Sequence, residues 1–369
     1  MAIKTFKDLI KEVHNEGICQ ECGGCVSFCN AIESGVIGFK TSSGPPEFLN
    51  EDQCLECGIC YFICPQTHIL DDELNEIYNF SDFSSMAIGN IRNIYVCQTN
   101  DEEFLKYGTD GGVVNTLLNF LLEKKMIDGA IVAKTKAAFS REASVAKNRE
   151  DLINASGVKL DLAHQVTEMQ KFHTYTSSFN KLKKLKFDRL AIVGTPCQIY
   201  TIRCMQDLGI IPSQNIDLCI GLFCYENFFF DKTKGEQFEK QFKIKFEDIE
   251  KINIREDLII RIKDGKNKSK VMHIPFDKLN NYMRSACNSC NDFTNIYADI
   301  SFGGLGSPEK FTTVITRTKK GDEVFKKALR AGVINSIKLD NKQVKEIKDI
   351  LSKFSKQKIM RKEAFINSK

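Results

Sequence analysis

No apolar run in the sequence approaches the roughly 18 residues needed to cross a bilayer. The longest candidate, Val113 to Leu122, is broken by Asn115, Thr116 and Asn119. Direct membrane insertion is not expected, and any membrane attachment has to come through a partner. An excess of charge is also missing. Fifty-two basic against 48 acidic residues leave a net +4 over 369 residues, too little to argue for nucleic acid as a partner. Histidine is scarce, at five residues, and His68, His173 and His273 stand isolated, without metal-ligand spacing. No G-x-G-x-x-G fingerprint, Walker loop, Ser-His-Asp arrangement or carboxylate pair occurs, which argues against an ordinary dinucleotide fold, phosphoryl transfer and hydrolysis. The first residues, MAIKTFKDLIKEVHNEG, have the pattern of an amphipathic helix rather than of a secretory leader.

What the chain has is cysteine, fifteen in all. Without a leader, this points to a reducing cytosol and to metal rather than disulfides. Two runs dominate: Cys19-Gln-Glu-Cys22-Gly-Gly-Cys25-Val-Ser-Phe-Cys29 and Cys54-Leu-Glu-Cys57-Gly-Ile-Cys60-Tyr-Phe-Ile-Cys64-Pro65. Both read C-x2-C-x2-C-x3-C, the bacterial ferredoxin spacing for two [4Fe–4S] clusters. Three closely spaced thiolates wrap one cubane, and the fourth cysteine reaches across to the other. Cys19, Cys22, Cys25 and Cys64 are thus assigned to one cluster, and Cys54, Cys57, Cys60 and Cys29 to the second. Gly23, Gly24 and Gly58 are expected to let the backbone approach the inorganic sulfides. Zinc sites use pairs of C-x2-C, and disulfide scaffolds belong to short secreted chains. The first run ends Cys29-Asn30 without proline, so the turn after it is expected to differ.

Length and composition, 42% hydrophobic and 27% charged, allow two to three domains with packed cores. A helix over residues 1–16 opens a cluster module spanning 1–72, with Thr41–Pro46 as the turn between its halves. An acidic, poorly patterned stretch from Asp71 to about Asn90 reads as a linker, 73–90. Residues 91–340 alternate strand-like segments (Asn93–Gln98, Gly129–Lys134, Arg189–Gly194, Asp217–Phe223, Lys251–Ile254, Leu258–Lys263, Ala298–Phe302, Thr312–Thr318) with helix-like ones (Gly112–Lys125, Gln198–Leu208, Asp322–Ala331, Asn341–Lys356). The fold class expected is α/β or mixed α+β, a ferredoxin-like module followed by an α/β domain that binds ligands at the carboxyl ends of its strands. The Lys-rich tail, 341–369, reads as a solvated closing helix rather than a binding element.

Within the second domain, Tyr107-Gly-Thr-Asp-Gly-Gly-Val-Val-Asn-Thr116 is a glycine-rich loop entering a helix, read equally as a phosphate cradle or a capping turn. Cys197 follows the strand Ala191–Gly194 at a helix start, where a thiolate is favoured. Cys224 ends the strand Asp217–Phe223, and Cys287-Asn-Ser-Cys290 supplies a further C-x2-C. The set Cys197, Cys224, Cys287 and Cys290 suggests a third [4Fe–4S] cluster, with zinc the rival. Cys97, Cys204 and Cys219 read as structural. The loop Ala298-Asp-Ile-Ser-Phe-Gly-Gly-Leu-Gly-Ser-Pro308 could lay flat backbone against a flat ring, or be a plain turn.

Taken together, GTDGGVVNTLL, GTPCQIYTIR, CIGLFCYENF, CNSCNDF with ADISFGG, and TTVITRT resemble the beta subunit of coenzyme F420-reducing hydrogenase, in family order over roughly residues 95–320. The double-cluster module is similar to that of the F420H2 dehydrogenase input subunit and the F420-oxidising half of F420-dependent sulfite reductase. The resemblance implies FAD held near Thr109, Asp110, Gly111, Gly112, Val113, Asn115 and Thr116, near Thr195, Pro196 and Gln198, and near Glu226 and Asn227. It also implies the third cluster, with coenzyme F420 as substrate. Lys159 matches a family position, whereas Leu160 replaces its usual aromatic neighbour. Lys159, Lys171 and the Lys181–Lys186 cluster are candidates to guide the anionic F420 tail. A flavin can exchange a hydride on one side and single electrons on the other, so hydride transfer at FAD N5 followed by one-electron steps through three clusters is expected, with no side chain singled out as catalytic. The partner oxidoreductase is expected among hydrogenase, formate dehydrogenase, formylmethanofuran dehydrogenase, heterodisulfide reductase and membrane F420H2 dehydrogenase. Two further readings stand beside this one: a flavin iron–sulfur reductase serving ferredoxin, and a flavin-free electron relay with structural zinc.

Overall fold

The apolar strand segments of the second domain join into one mixed sheet. In the computed structural model the described residues are 3–32, 35–41, 44–137, 140–157, 166, 167, 169, 189–264 and 268–368. Strands β1 (Ile37–Gly38) and β2 (Glu47–Phe48) form a short antiparallel pair in the N-terminal module. The main sheet comprises β3 (Asn93–Thr99), β4 (Gly129–Ala137), β5 (Ser140–Ala146), β6 (Leu190–Gly194), β7 (Ile216–Leu222), β11 (Ile300–Gly303), β12 (Thr312–Thr316) and β13 (Ile334–Ile337), in the order β13-β3-β12-β11-β7-β6-β4-β5. Its centre, β4, β6, β7 and β11, is parallel, and every other pairing is antiparallel. Strands β8 (Ile249–Ile254), β9 (Leu258–Asp264) and β10 (Lys268–Ile274) make a separate antiparallel sheet. Its core includes Phe238 of the helix Lys232–Phe242.

The parallel strands are apolar throughout because both faces of the sheet are covered. Period-two alternation sends Ala191 and Val193 of β6, with Leu218 and Ile220 of β7, to the face packed by the helices Val113–Glu123 and Lys319–Arg330. Leu190 and Ile192, with Cys219, face the helix Pro196–Asp207 on the other side. Cys97, Cys204 and Cys219 are fully buried in these two cores, the placement expected of structural residues.

The N-terminal module is not a separate bead. Phe28, Ile63, Leu70, Leu74 and Phe80 share a core with β6 and the helix Pro196–Asp207. Polar contacts cross the same junction. Thr201 Oγ1 donates to Ile63 O at 2.7 Å, Gln20 Nε2 to Ala286 O at 2.9 Å, and Ser285 Oγ to Gly17 O at 3.0 Å. Glu21 pairs with Arg284 where both side chains are nearly buried. Gly24 belongs to this contact: a Cβ there would stand 2.1 Å from Thr201 Oγ1. Gly58 takes φ +76° as the cap of the helix Ile59–Phe62, beside Lys4 O. Close packing at Gly24 and a positive φ at Gly58 give each of these two glycines a role in the protein fold itself.

Two expectations need correction. The supposed linker contains the helix Asp71–Tyr78, with Leu74 1% exposed. Its acidic start, Asp71-Asp72-Glu73, suits a helix N-terminus, where carboxylates oppose the macrodipole. The tail is a helix of 27 residues, Asn341–Asn367, and it buries Ile347, Leu351, Ser355 and Lys358 at helical spacing. After the first cysteine run, the helix Gly24–Ile32 continues through Cys29 and Asn30. After the second, the helix stops at Phe62, shortly before Pro65, which cannot donate to a preceding turn. The turn Thr41–Pro46 lies partly outside the described residues.

Leu74→Ala is expected to destabilise the junction by about 2–5 kcal/mol. The measurement is hydrogen exchange over Asp71–Tyr78: protected amides in the unsubstituted chain and lost protection in the variant. Solvent-like exchange in both would mean that this stretch is a loose linker.

Candidate functional site

The cysteine runs place their thiols in two neighbouring sets. Burial pushes the Cys19 thiol up to about 12, with Cys64 adding to the rise. Burial likewise pushes Cys22 to about 12, assisted by Cys19, and Cys64 to about 12, assisted by Cys22. Cys60 is raised by burial and then by Cys57, Cys29 and Cys54. Each run's fourth cysteine therefore lies with the other run's first three. Cys29, Cys54, Cys57 and Cys60 all line one small cavity beneath Phe6 and Ile37. Cys25, raised by burial and then by Cys22, Cys19, Cys60 and Cys64, stands between the two sets. Backbone N–H groups already point at sulfur, from Glu21 to Cys19, Gly24 to Cys22, Gln66 and Thr67 to Cys64, and Tyr61 to Cys60. Such bonds favour thiolate over thiol.

The second domain gathers four more thiols. Cys197 occupies the first turn of the helix after β6, Cys224 follows β7, and Cys287 and Cys290 come from the loop before β11. The Cys197 thiol is raised by burial and then by Cys22, with Cys290 and Cys224 further causes, so this set adjoins the first set of the module. Donors converge on the sulfurs. Asn227 N donates to Cys287 Sγ at 3.3 Å, Asn227 Nδ2 to Cys224 Sγ at 3.3 Å, and Thr195 Oγ1 lies 3.2 Å from Cys197 Sγ. Among the described residues, no three His, Cys, Asp or Glu side chains converge closely enough to hold one metal ion. The tail helix covers this set. Lys358 Nζ, 1% exposed as a residue, donates to Cys224 O at 2.6 Å and Asp292 O at 2.7 Å.

A large cavity opens at the carboxyl ends of the four parallel strands. Val132 and Ala133 of β4, Val193 and Gly194 of β6, Leu222 of β7 and Phe302 and Gly303 of β11 reach it. The glycine-rich loop supplies its rim with Thr109, Asp110 and Gly112, and Val113, Val114 and Asn115 bring a helix N-terminus with no side-chain cap. Unpaired N–H groups and the macrodipole make this an anion-binding end. Asn115 Nδ2 also holds Ser156 Oγ. Glu226 lines the cavity too. Its Oε2 accepts from Arg361 Nη1 at 2.6 Å, while its buried Oε1 has no partner among the described residues. The loop Gly303-Gly304-Leu305 also faces the cavity. Cys224 lines the same cavity and joins it to the four-thiol set.

Several expected cofactor contacts are placed otherwise. Gly111 is wedged between Cys97 O and Thr312, whose hydroxyl accepts its N–H at 3.0 Å. Thr116 turns inward and donates to Gly112 O. Gln198 is fully buried and caps its own helix, its Oε1 accepting from Thr195 N at 3.0 Å. Pro196 lines a different cavity, together with Cys197 and Cys290. Asn227 reaches the large cavity but spends its amide on sulfur. Lys159, Lys171, Lys181–Lys186 and Leu160 lie outside the described residues. Arg255, which donates to Asp110 Oδ1 at 3.4 Å from between β8 and β9, escaped the sequence reading, and so did Phe354 of the tail helix, another lining residue. Neither sits in a motif. The apolar spacing Ile347, Leu351, Phe354 was the one available signal for the latter.

Residues 94–169 and 187–342 match, respectively, the N-terminal and C-terminal family models of the coenzyme F420 hydrogenase/dehydrogenase beta subunit. The chain is similar to the coenzyme F420 hydrogenase subunit beta of Methanococcus voltae, 30% identical over 277 residues, covering 74% of this chain and 93% of the relative. It is also similar to an F(420)H(2) dehydrogenase subunit of Methanosarcina mazei, 26% identical over 86% of this chain and 84% of the relative. The coenzyme F420-dependent sulfite reductase of Methanocaldococcus jannaschii is 28% identical over 85% of this chain but only 46% of its own length. Among solved structures, a chain of the F420-reducing [NiFe] hydrogenase complex from Methanosarcina barkeri superposes with TM-score 0.66 at 27% identity, over 76% of this chain and 93% of that one.

Burial raises the Asp110 carboxyl to about 6, against the opposing pull of Arg255. A group raised in the folded chain favours folding at low pH, and that contribution is lost as pH rises through about 6. In the 13C-labelled apo chain, one carboxyl resonance should titrate near pH 6 and vanish in Asp110→Asn. A spectrum in which every aspartate titrates at its ordinary value would contradict this placement.

Proposed function

The chain belongs to the family of coenzyme F420 hydrogenase/dehydrogenase beta subunits, and on that premise we propose that it carries FAD and three [4Fe–4S] clusters and exchanges electrons between coenzyme F420 and a partner oxidoreductase. The observation that carries the reading is continuity. The large cavity touches Cys224, the Cys224 set reaches Cys22 through Cys197, and Cys25 stands beside Cys60. The path ends at Cys57, which is exposed and gives a partner access to the outermost set.

FAD, when bound, supplies the conversion between a two-electron hydride and single electrons that clusters can pass. The residues present fit it. The uncapped N-terminus at Val113–Asn115 suits a pyrophosphate. The unpaired Oε1 of Glu226 waits for a donor, and the apolar strand ends exclude water around a ring. Asp110 with Arg255 sets the charge at the rim, and Thr109 adds a hydroxyl. For the third cluster, the four thiols with N–H donors aimed at sulfur fit a thiolate-ligated cubane. Lys159 remains a candidate for the anionic substrate.

Anaerobic purification with cofactor counting tests the proposal. The expected result is one FAD and about twelve irons per chain, falling to about eight in Cys197→Ser. About eight irons, one zinc and no flavin would leave an electron relay. About eight irons with FAD would keep the enzyme and refute the third cluster.

A further inference from the structure

We propose that the C-terminal helix Asn341–Asn367 is part of the redox machinery, and that the buried ammonium of Lys358 positions the Cys197/Cys224/Cys287/Cys290 site and raises the reduction potential of the cluster it holds. The inference rests on the third-cluster reading above. The helix lies almost wholly beyond the family match, which ends at residue 342.

Ile347 and Leu351 anchor the helix in a core with Val96, Phe293 and Ile315. Phe354 stacks on Phe293, with centroids 6.1 Å apart, and meets Tyr225 edge-on. This anchorage fixes the next turn over the thiols. Lys358 Nζ bridges Cys224 O and Asp292 O, one carbonyl from each cysteine-bearing loop. One turn on, Arg361 spans the same gap. Its Nη2 donates to Tyr225 O at 2.7 Å and Cys287 O at 3.3 Å, its Nη1 pairs with Glu226, and its guanidinium lies 4.8 Å over the Tyr225 ring. Two cations on one helix therefore clamp the Cys224 loop to the Cys287–Cys290 loop.

Charge gives the clamp a further effect. A buried ammonium needs a compensating negative charge. The hydrogen-bond partners of Lys358 are neutral carbonyls, and the neighbouring Asp292 carboxylate already accepts from Asn295 N and Ile296 N. The negative charge around it comes from the Cys290, Cys224 and Cys287 sulfurs together with the Asp292 and Glu226 carboxylates. A thiolate-ligated cubane becomes more negative by one charge on accepting an electron, so a fixed, desolvated cation beside it favours the reduced form. Lys358 in turn acts on the Cys287 thiol, in the set nearest the cavity. Arg284 does act on Cys19, but Glu21 pairs with it there. The bias of Lys358 is thus expected on the Cys197/Cys224/Cys287/Cys290 set.

The test is an EPR-monitored redox titration of the full chain, with iron counted in each variant. Lys358→Met should lower one midpoint by about 59 mV, a tenfold shift in a one-electron equilibrium, and leave the other two unchanged. Lys358→Arg should restore it, and Arg361→Met should lower the same midpoint by less. If Lys358→Met instead loses about four irons that Lys358→Arg retains, the positioning role is upheld. Equal loss in both variants, or three unchanged midpoints in Lys358→Met with about twelve irons present, would overturn the inference alone. About eight irons in the unsubstituted chain would overturn the cluster reading, and this inference with it.

Discussion

Twelve cysteine thiols crowd into three adjoining sets, and burial opposes the ionisation of most of them. Each thiolate in such a place needs a positive partner, whether an N–H dipole, an ammonium or an iron centre. Much of the structure follows from that requirement. Loops around the sets turn N–H groups toward sulfur. The module packs against the second domain through a shared apolar core. At the junction, the Glu21–Arg284 pair and the Gln20 and Thr201 hydrogen bonds hold Cys22 close to Cys197.

The sheet contributes the other half of the arrangement. Four parallel strands end on one side, and their connections leave a cavity where backbone and apolar side chains meet a helix N-terminus. Cys224 belongs to both the cavity and a thiol set, so a group bound in the first is in reach of a group bound in the second. The tail helix completes both: Phe354 lines the cavity and Lys358 covers the thiols.

The local parts of this plan were legible in the sequence. C-x2-C-x2-C-x3-C is a spacing rule, so the grouping of Cys29 with Cys54, Cys57 and Cys60, and of Cys64 with Cys22, could be read from position alone. The apolar strands and the helices after Gly112 and Thr195 announced themselves by pattern. Features that depend on packing at a distance were not legible. Asp71–Tyr78 looked like an acidic linker because its charges serve a helix end while Leu74 alone carries the burial. Lys358 and Arg361 looked like solvated members of a basic tail, since nothing local distinguishes a buried lysine from an exposed one. Gln198 and Thr116 sit in the right motifs, but their side chains are committed to capping and to the helix backbone. Arg255 reaches Asp110 from a separate sheet.

The central claim is that cavity and thiol sets form one conducting path. The most direct measurement mixes the oxidised, cofactor-replete chain anaerobically with reduced coenzyme F420 and follows absorbance in stopped flow. The account predicts that deazaflavin oxidation is followed, within the same chain, by bleaching of flavin and then of iron–sulfur absorption. Deazaflavin left unoxidised, or oxidised with the iron–sulfur bands unchanged, would contradict it.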